Sequence, residues 1–287
     1  YPIPDSMEVA YAQYLSTDAA KKIIQKKNNC TRWMVSEFGT NFNKTNQKVY
    51  ISLRKTDWLT LQFFWKSFQD DKTNRPKIIY DLYSMQEVLP NSFCLHLVLV
   101  TKNDEVIVTA ISKNKSNDYP MTWAATIGEQ IEDTDFNDGS EINSGFLYKW
   151  IKRALKEEFG IIDKQFEAIT SPENIRVLSL NVEGDNYNIS LLTVVHMNES
   201  FTEFVEETRK HSEVDKEYVD IKALRIKDIP LVMAQYSNKR DRMHPSTYLR
   251  LLMCYLHRFG INSFVSNFDR ANNNPNDTTL FYDKIQT

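Results

Sequence analysis

Glu157 and Glu158 are the residues of this sequence best suited to chemistry, because adjacent carboxylates supply oxygen ligands for a divalent cation. They stand just before Gly160, the usual residue of a left-handed helix C-terminal cap. Carboxylates at this end of a helix are unfavourable by up to ~1 kcal/mol each, because the helix dipole is negative there. Two explanations are open: solvation with pairing to Arg153, one turn earlier, or binding of a metal ion.

An amphipathic helix over residues 145–159 is predicted to position these carboxylates. Its apolar residues recur at spacings of one, three and four, which is typical of a helix that packs one face against a core. They are Phe146, Leu147, Trp150, Ile151, Ala154, Leu155 and Phe159.

The run from Arg153 to Ile161 resembles the signature of the Nudix hydrolases. That signature reads arginine, glutamate, an aliphatic residue, any residue, two glutamates, any residue, glycine and an aliphatic residue. The preceding residues follow the family's order of strand, Pro-to-Trp turn, glycine and glutamate, namely 106–111, Pro120, Trp123, Gly128 and Glu132. The resemblance covers residues 92–262.

The sequence departs from the signature at metal-ligand positions. Ala154 replaces the glutamate that follows the arginine, and Gly145 stands where the family has an earlier glutamate. An acidic insert, residues 133–144, separates the strand from the helix. In this resemblance, Glu129 and Glu132 on that strand are the candidates to replace the ligand missing at Ala154.

The resemblance implies attack by water on a diphosphate linked to another group, with Mg²⁺ or Mn²⁺ neutralising charge and acidifying water. Binding of that ion is expected to be weakened by Ala154. The implied catalytic residues are Arg153, Glu157 and Glu158. The implied metal ligands are Glu129, Glu132, Glu157 and Glu158. The implied substrate contacts are Trp123, Lys113 and Lys115, although a solvated loop explains the two lysines equally well.

Two functions follow. The missing ligand favours a Nudix-like module that binds a nucleotide or nucleoside-diphosphate derivative, as a sensor or binding module with weak or no turnover. The alternative is a magnesium-dependent hydrolase that cleaves a diphosphate linkage with a relocated ligand. An isomerase similar to the isopentenyl diphosphate isomerases is disfavoured, because no cysteine follows Trp123 at the position that reaction uses. A protein partner or a homodimer is left open.

Composition predicts a cytoplasmic protein. A net charge of -3 and a pI near 6.0 argue against a nucleic-acid partner. No apolar run reaches the ~18 residues needed to span a membrane, and the first residues lack the pattern of a signal peptide. Three widely spaced cysteines, Cys30, Cys94 and Cys254, predict buried, reduced thiols.

The predicted fold is α/β (α+β), with a Nudix-like mixed sheet sandwiched between helices at 145–159 and 245–259. His96, on one of the predicted strands, is expected to be a buried core residue. The predicted divisions are a smaller N-terminal α/β subdomain over 1–90, a Nudix-like domain over 91–265 and a polar tail over 266–287. The predicted strands are 93–100, 105–111, 175–182, 187–196 and 215–223, with a further helix over 201–210.

The N-terminal region is predicted to contain a helical stretch over 5–29, a polar loop over 41–47 and a short strand at Val49–Leu53. An aromatic helix follows, capped by Thr56 or Asp57. Its apolar residues are expected to form the core of this subdomain, the alternative being a base-stacking wall beside Arg54. They are Trp58, Leu59, Leu61, Phe63, Phe64, Trp65 and Phe68.

Overall fold

Two compact units make up the chain. The computed structural model describes residues 3–26, 29–43, 46–70, 90–113, 119–136, 144–183, 188–210, 218–236 and 243–273. The first unit contains residues 1–94, 130–134 and 180–190, and the second contains 95–129, 135–179 and 191–287. The predicted N-terminal subdomain falls within the first unit.

The first unit begins with two short helices, α1 (Glu8–Leu15) and α2 (Asp18–Gln25), in place of one helical stretch. Thr17 separates them, because its side-chain oxygen accepts a hydrogen bond from the backbone N–H of Ala20 at 3.3 Å. This bond makes Thr17 the N-cap at which α2 begins.

A long antiparallel hairpin follows, formed by β1 (Thr31–Asn43) and β2 (Asn46–Asp57). The predicted polar loop at 41–47 and the short strand at Val49–Leu53 are therefore wrong in extent. Asparagine-rich segments have low strand propensity, but the cross-strand hydrogen bonds outweigh that preference here.

Helix α3 (Trp58–Asp70) supplies the core of the first unit. Its Leu59, Phe63 and Phe64 pack with Tyr14 and Ala20 in one buried cluster. These contacts confirm that aromatic residues of this helix serve as core.

A seven-stranded sheet dominates the rest of the structure, with the order β5-β4-β3-β8-β7, β6 beside β3, and β9 beside β4. The strands are β3 (Phe93–Val100), β4 (Glu105–Ile111), β5 (Trp123–Ala125), β6 (Ile127–Gln130), β7 (Ile175–Glu183), β8 (Asn188–His196) and β9 (Tyr218–Arg225). The predicted hairpin of β3 and β4 is confirmed by their antiparallel pairing at Val100 and Val106.

Six described helices belong to the second unit. They are α4 (Ser144–Phe159), α5 (Asp163–Ile169), α6 (Phe201–Arg209), α7 (Ile229–Tyr236), α8 (Pro245–Phe259) and α9 (Ile261–Asn273). Residues 266–273, which the sequence assigns to a polar tail, are thus helical. Helix α9, whose partly buried Phe264 packs against the core, continues to Asn273, so regular structure extends beyond residue 265.

Helices enclose the sheet on both faces, as predicted. Leu251, Cys254 and Tyr255 of α8 pack in one cluster with Val98 of β3 and Val108 of β4. Neighbouring residues on a strand point to opposite faces, and the alternate residues of β3 are equally buried. Helix α4 carries a second set of buried residues that do not belong to this cluster, among them Trp150, Ile151 and Leu155. The predicted mixed α/β class is confirmed.

Two sequence-based expectations concern single side chains. His96 is buried, as predicted. All three cysteines are free thiols, but only Cys94 and Cys254 are buried, whereas Cys30 is exposed just before β1. Among the described helices, none has the length and apolar character needed to cross a bilayer.

Candidate functional site

A cavity of about 240 Å³ lies in the second unit, beside the end of helix α4. Strands β4, β5, β6 and β9 and helices α4 and α8 contribute to its wall. The lining residues are Thr109, Ile111, Ala124, Thr126, Ile127, Gly128, Glu158, Tyr218, His244 and Arg250. Three of these side chains are aliphatic and six are polar, and apolar surface combined with placed polar groups is the usual composition of a small-molecule site.

The end of helix α4 directs its two glutamates differently. Gly160 adopts φ 74° and donates its N–H to the carbonyl oxygen of Lys156, which confirms the predicted left-handed cap. The side chain of Glu157 is 49% exposed, whereas Glu158 is only 6% exposed and lines the cavity. Among described residues, Glu158 is the one carboxylate in that lining.

Arg153 joins the other carboxylates of this region in one network. Its Nε and Nη2 donate to the two carboxylate oxygens of Asp135 at 2.9 and 2.8 Å. Its Nη1 donates to Glu129 at 3.2 Å and to Glu157 at 2.9 Å. Burial lowers the pKa of Arg153, but the three carboxylates outweigh that effect and raise the pKa above its ordinary value.

Asp135 is a site residue that sequence reasoning missed. Its side chain is only 2% exposed and forms a bidentate pair with Arg153, the strongest geometry available to these groups. It lies in the acidic insert, within a short 3-10 turn. An aspartate among several acidic residues gives no periodic signal, so spacing alone does not single it out.

Ala154 faces the protein interior. Its exposure is 0%, like that of its neighbour Leu155. The position at which the Nudix signature has a glutamate is therefore part of the buried stripe of α4, and no ligand atom stands there.

The predicted metal ligands do not form a ready site. Within the described ranges, no three of Glu129, Glu132, Glu157 and Glu158 bring carboxylate oxygens within 4.8 Å of one another. Glu129 and Glu157 are brought together, but by a shared hydrogen bond donor, Arg153 Nη1. Since Mg²⁺ demands several oxygens in near-octahedral geometry, the residues as arranged do not fit it.

Tyr218 places a protonated hydroxyl beside the cavity. Burial, aided by the negative charge of Glu158, raises the pKa of Tyr218 to about 12, although a hydrogen bond with Thr208 acts in the opposite direction. The phenol therefore remains neutral across the physiological range. Its ring packs against Phe159, with centroids 5.2 Å apart.

Arg250 is the second missed residue and the cation of the cavity. It is 4% exposed, and its Nη1 donates to the carbonyl oxygens of Ala125 at 3.2 Å and Ile127 at 2.9 Å. A Cβ at Gly128 would lie 3.4 Å from Arg250 Nη2, so this glycine lets the backbone pass close to the guanidinium. The signal that could have found Arg250 in the sequence is a charged residue within a buried helical stripe. The buried residues at this helical spacing are Thr247, Arg250, Leu251 and Cys254.

His244 contributes an imidazole ring. Its Nδ1 accepts a hydrogen bond from the backbone N–H of Ser246 at 3.3 Å and lies 2.8 Å from the Ser246 hydroxyl oxygen, in its role as N-cap of helix α8. The ring of Tyr119 packs edge-on against the imidazole at 4.8 Å.

The predicted substrate contacts lie apart from this lining. Trp123 is buried in the core, with Lys222 Nζ 5.1 Å from its ring centroid. Lys113 is exposed just after β4, and Lys115 lies outside the described residues. Glu132 is exposed and belongs to the first unit. Their proposed roles stay predictions.

Comparisons with known proteins give structural similarities only. No protein-family model matches the chain, and no curated protein matches it. A bifunctional NMN adenylyltransferase/ADP ribose pyrophosphatase from Francisella tularensis aligns at 14% identity and TM-score 0.37, covering 70% of this chain and 53% of that one. A MutT/nudix family protein from Enterococcus faecalis aligns at 13% identity and TM-score 0.31, covering 72% and 90%.

A Nudix hydrolase from Nitrosomonas europaea aligns at 10% identity and TM-score 0.35, covering 58% of this chain and 90% of the other. The chain is thus similar in structure to proteins described as Nudix or MutT. Similarities at these identities and TM-scores do not assign it to a family or a reaction, so its functional interpretation depends on its own residues.

Proposed function

We propose that the cavity of the second unit binds a nucleotide or nucleoside-diphosphate derivative and turns it over slowly or not at all. One observation carries this proposal: Arg153 binds both Glu129 and Glu157, so that Glu158 is the single described carboxylate at the cavity.

Hydrolysis of a diphosphate is difficult without a metal ion, because a polyanion repels the attacking hydroxide. A bound metal neutralises that charge and acidifies water. In this chain two of the carboxylates that would hold the ion, Glu129 and Glu157, are bonded to Arg153 instead, and Ala154 adds no oxygen. A binding role therefore fits the site better than rapid turnover.

The cavity itself supports binding of a small polar molecule. Buried groups of both charges, Glu158 and Arg250, stand among aliphatic side chains, and such groups fix the orientation of a ligand. Its volume is below the ~300–1,000 Å³ of typical ligand pockets, so it encloses one moiety of a nucleotide and not the whole molecule.

One observation favours the hydrolase alternative. Glu129 and Glu157 accept hydrogen bonds from the same nitrogen, Arg153 Nη1, so their carboxylates converge beside the end of helix α4. Glu129 belongs to strand β6, so its carboxylate beside Glu157 is where a relocated metal ligand would be expected. The two functions differ in whether a divalent ion raises phosphate release.

Nucleotide binding without turnover is the expected result. Titration calorimetry with nucleoside diphosphates should give binding heat without Mg²⁺, since the proposed contacts come from protein side chains. A phosphate-release assay with added Mg²⁺ should remain near background for nucleoside-diphosphate derivatives.

The alternative predicts a different pattern. Glu157→Gln would then lower a metal-dependent rate by at least ~100-fold, a loss of about 2.7 kcal/mol in transition-state stabilisation. Glu167→Gln is the matched control, because it makes the same chemical change at a side chain on helix α5 that is 65% exposed. Magnesium-dependent release lost only in Glu157→Gln would establish the hydrolase.

A further inference from the structure

We propose that the nucleobase, and not the diphosphate, enters the cavity; this rests on the proposed nucleotide-binding function. The ligand class is a neutral planar heterocycle that carries both N–H donors and nitrogen or oxygen acceptors. The diphosphate would then remain at the mouth or outside.

The charge of the cavity supports this assignment. Among its described lining residues the charged groups are Glu158 and Arg250, one of each sign, and both are more than nine-tenths buried. The buried carboxylate and the buried guanidinium therefore balance each other in charge.

A diphosphate is disfavoured in such a place. Each of its negative charges would be repelled by Glu158 as well as attracted by Arg250. Such interactions are strong where burial lowers the effective dielectric constant. One guanidinium already bonded to two carbonyl groups does not neutralise several phosphate charges next to a buried carboxylate. A neutral ligand carries no such cost.

A nucleobase matches the hydrogen-bonding groups that line the cavity. The carboxylate of Glu158 accepts N–H bonds, and a guanidinium donates to ring nitrogens or carbonyl oxygens. Gly128 adds no side chain to the lining beside Arg250 Nη2. Ala124 and Ile127 supply apolar contacts.

The threonines of the lining are already engaged with the backbone. Thr109 donates its hydroxyl to the carbonyl of Thr126 at 2.7 Å, and Thr126 donates its own to Ile107 at 2.6 Å. The hydroxyl protons of Thr109 and Thr126 are thus committed, and the base recognition that we propose uses Glu158 and Arg250, with the neutral hydroxyl of Tyr218 beside them.

Metal-free titration calorimetry separates base from phosphate binding. Adenosine, guanosine, cytidine and uridine are each titrated, together with their diphosphates and inorganic diphosphate. At least one nucleoside should bind within ~10-fold of the Kd of its diphosphate, because the base makes the main contacts. Inorganic diphosphate should not displace that nucleoside.

The contrary outcomes are distinct. If inorganic diphosphate binds and displaces nucleoside diphosphates while no nucleoside binds, the base assignment is overturned but nucleotide binding stands. If neither nucleosides nor their diphosphates bind, the proposed function fails and the base assignment fails with it.

Glu158→Gln tests the charge balance directly. It removes the negative charge with little change in shape, so nucleoside affinity should fall by ~10-fold or more, the effect of a hydrogen bond to a charged group. The described lining would then keep Arg250 without its one carboxylate, and inorganic diphosphate should begin to bind. The Glu167→Gln variant should show neither change.

Gly128→Ala supplies a second test should Glu158→Gln fold poorly. A methyl group there would lie in ordinary contact, 3.4 Å from Arg250 Nη2 and 3.7 Å from His96 Cδ2, and would not alter the charge of the lining. Nucleoside affinity should fall by ~10-fold or more, because the methyl group would occupy space beside the guanidinium that the base is proposed to use. Unchanged nucleoside affinity in this variant would overturn the base assignment.

Discussion

Arg153→Met is expected to lower the free energy of unfolding by ~3–5 kcal/mol, the cost of breaking a buried ion pair by removing one partner. Asp135, with a side chain only 2% exposed, would lose both hydrogen bonds to the guanidinium while its carboxylate stays buried. Glu129, also largely buried, would lose the same cation. Urea denaturation followed by fluorescence measures the change.

Lys55→Met is the matched control within the first unit. Lys55 pairs with Asp133 at 2.8 Å, two positions before Asp135 in the chain, but both of these side chains are 55% exposed. An exposed pair contributes only ~0.2–1 kcal/mol, so this variant should stay close to the wild-type protein. Equal losses in Arg153→Met and Lys55→Met would contradict the structural role of the Arg153 network.

The sequence predicts those parts of the site that periodicity determines. Helix α4, its cap at Gly160 and the hairpin of β3 and β4 follow from apolar spacing and turn residues, and the structure has all three. The two glutamates at the end of α4 are adjacent in sequence. Only the structure shows that one turns to Arg153 and the other to the cavity.

The remaining site residues depend on contacts far apart in sequence. Arg250 bonds to carbonyl groups of Ala125 and Ile127, and Asp135 reaches Arg153 from an irregular turn. Neither contact produces a pattern in the sequence near the residues that make it, so spacing alone does not predict it. The long β1–β2 hairpin was missed for the same reason, since cross-strand pairing and not residue propensity forms it.

Ala154→Glu is expected to destabilise the second unit instead of completing a metal site. Ala154 is 0% exposed within the apolar stripe of helix α4, so a glutamate there must bury an ionised group or displace packed neighbours. Overpacking alone costs ~1–3 kcal/mol, and an uncompensated carboxylate adds to that cost.

Ala154→Gln separates size from charge, because glutamine has nearly the same shape and no charge. The difference in unfolding free energy between the two variants should depend on pH. Burial raises the pKa of a carboxyl in the folded state, so the folded glutamate variant binds more protons than the unfolded one. Relative to glutamine, it should be least destabilised below pH ~4 and increasingly destabilised as pH rises.

Calorimetric titration of Ala154→Glu with Mg²⁺ decides whether the side chain at residue 154 points into the protein interior or into the cavity. With residue 154 in the interior, the variant should melt at a lower temperature and gain no magnesium binding or phosphate release. A variant that keeps the wild-type Tm, binds Mg²⁺ and gains phosphate release would mean that this side chain faces the cavity. The new carboxylate would then join Glu158 at the cavity, and the lack of an oxygen at position 154 would be what limits turnover in the wild-type chain.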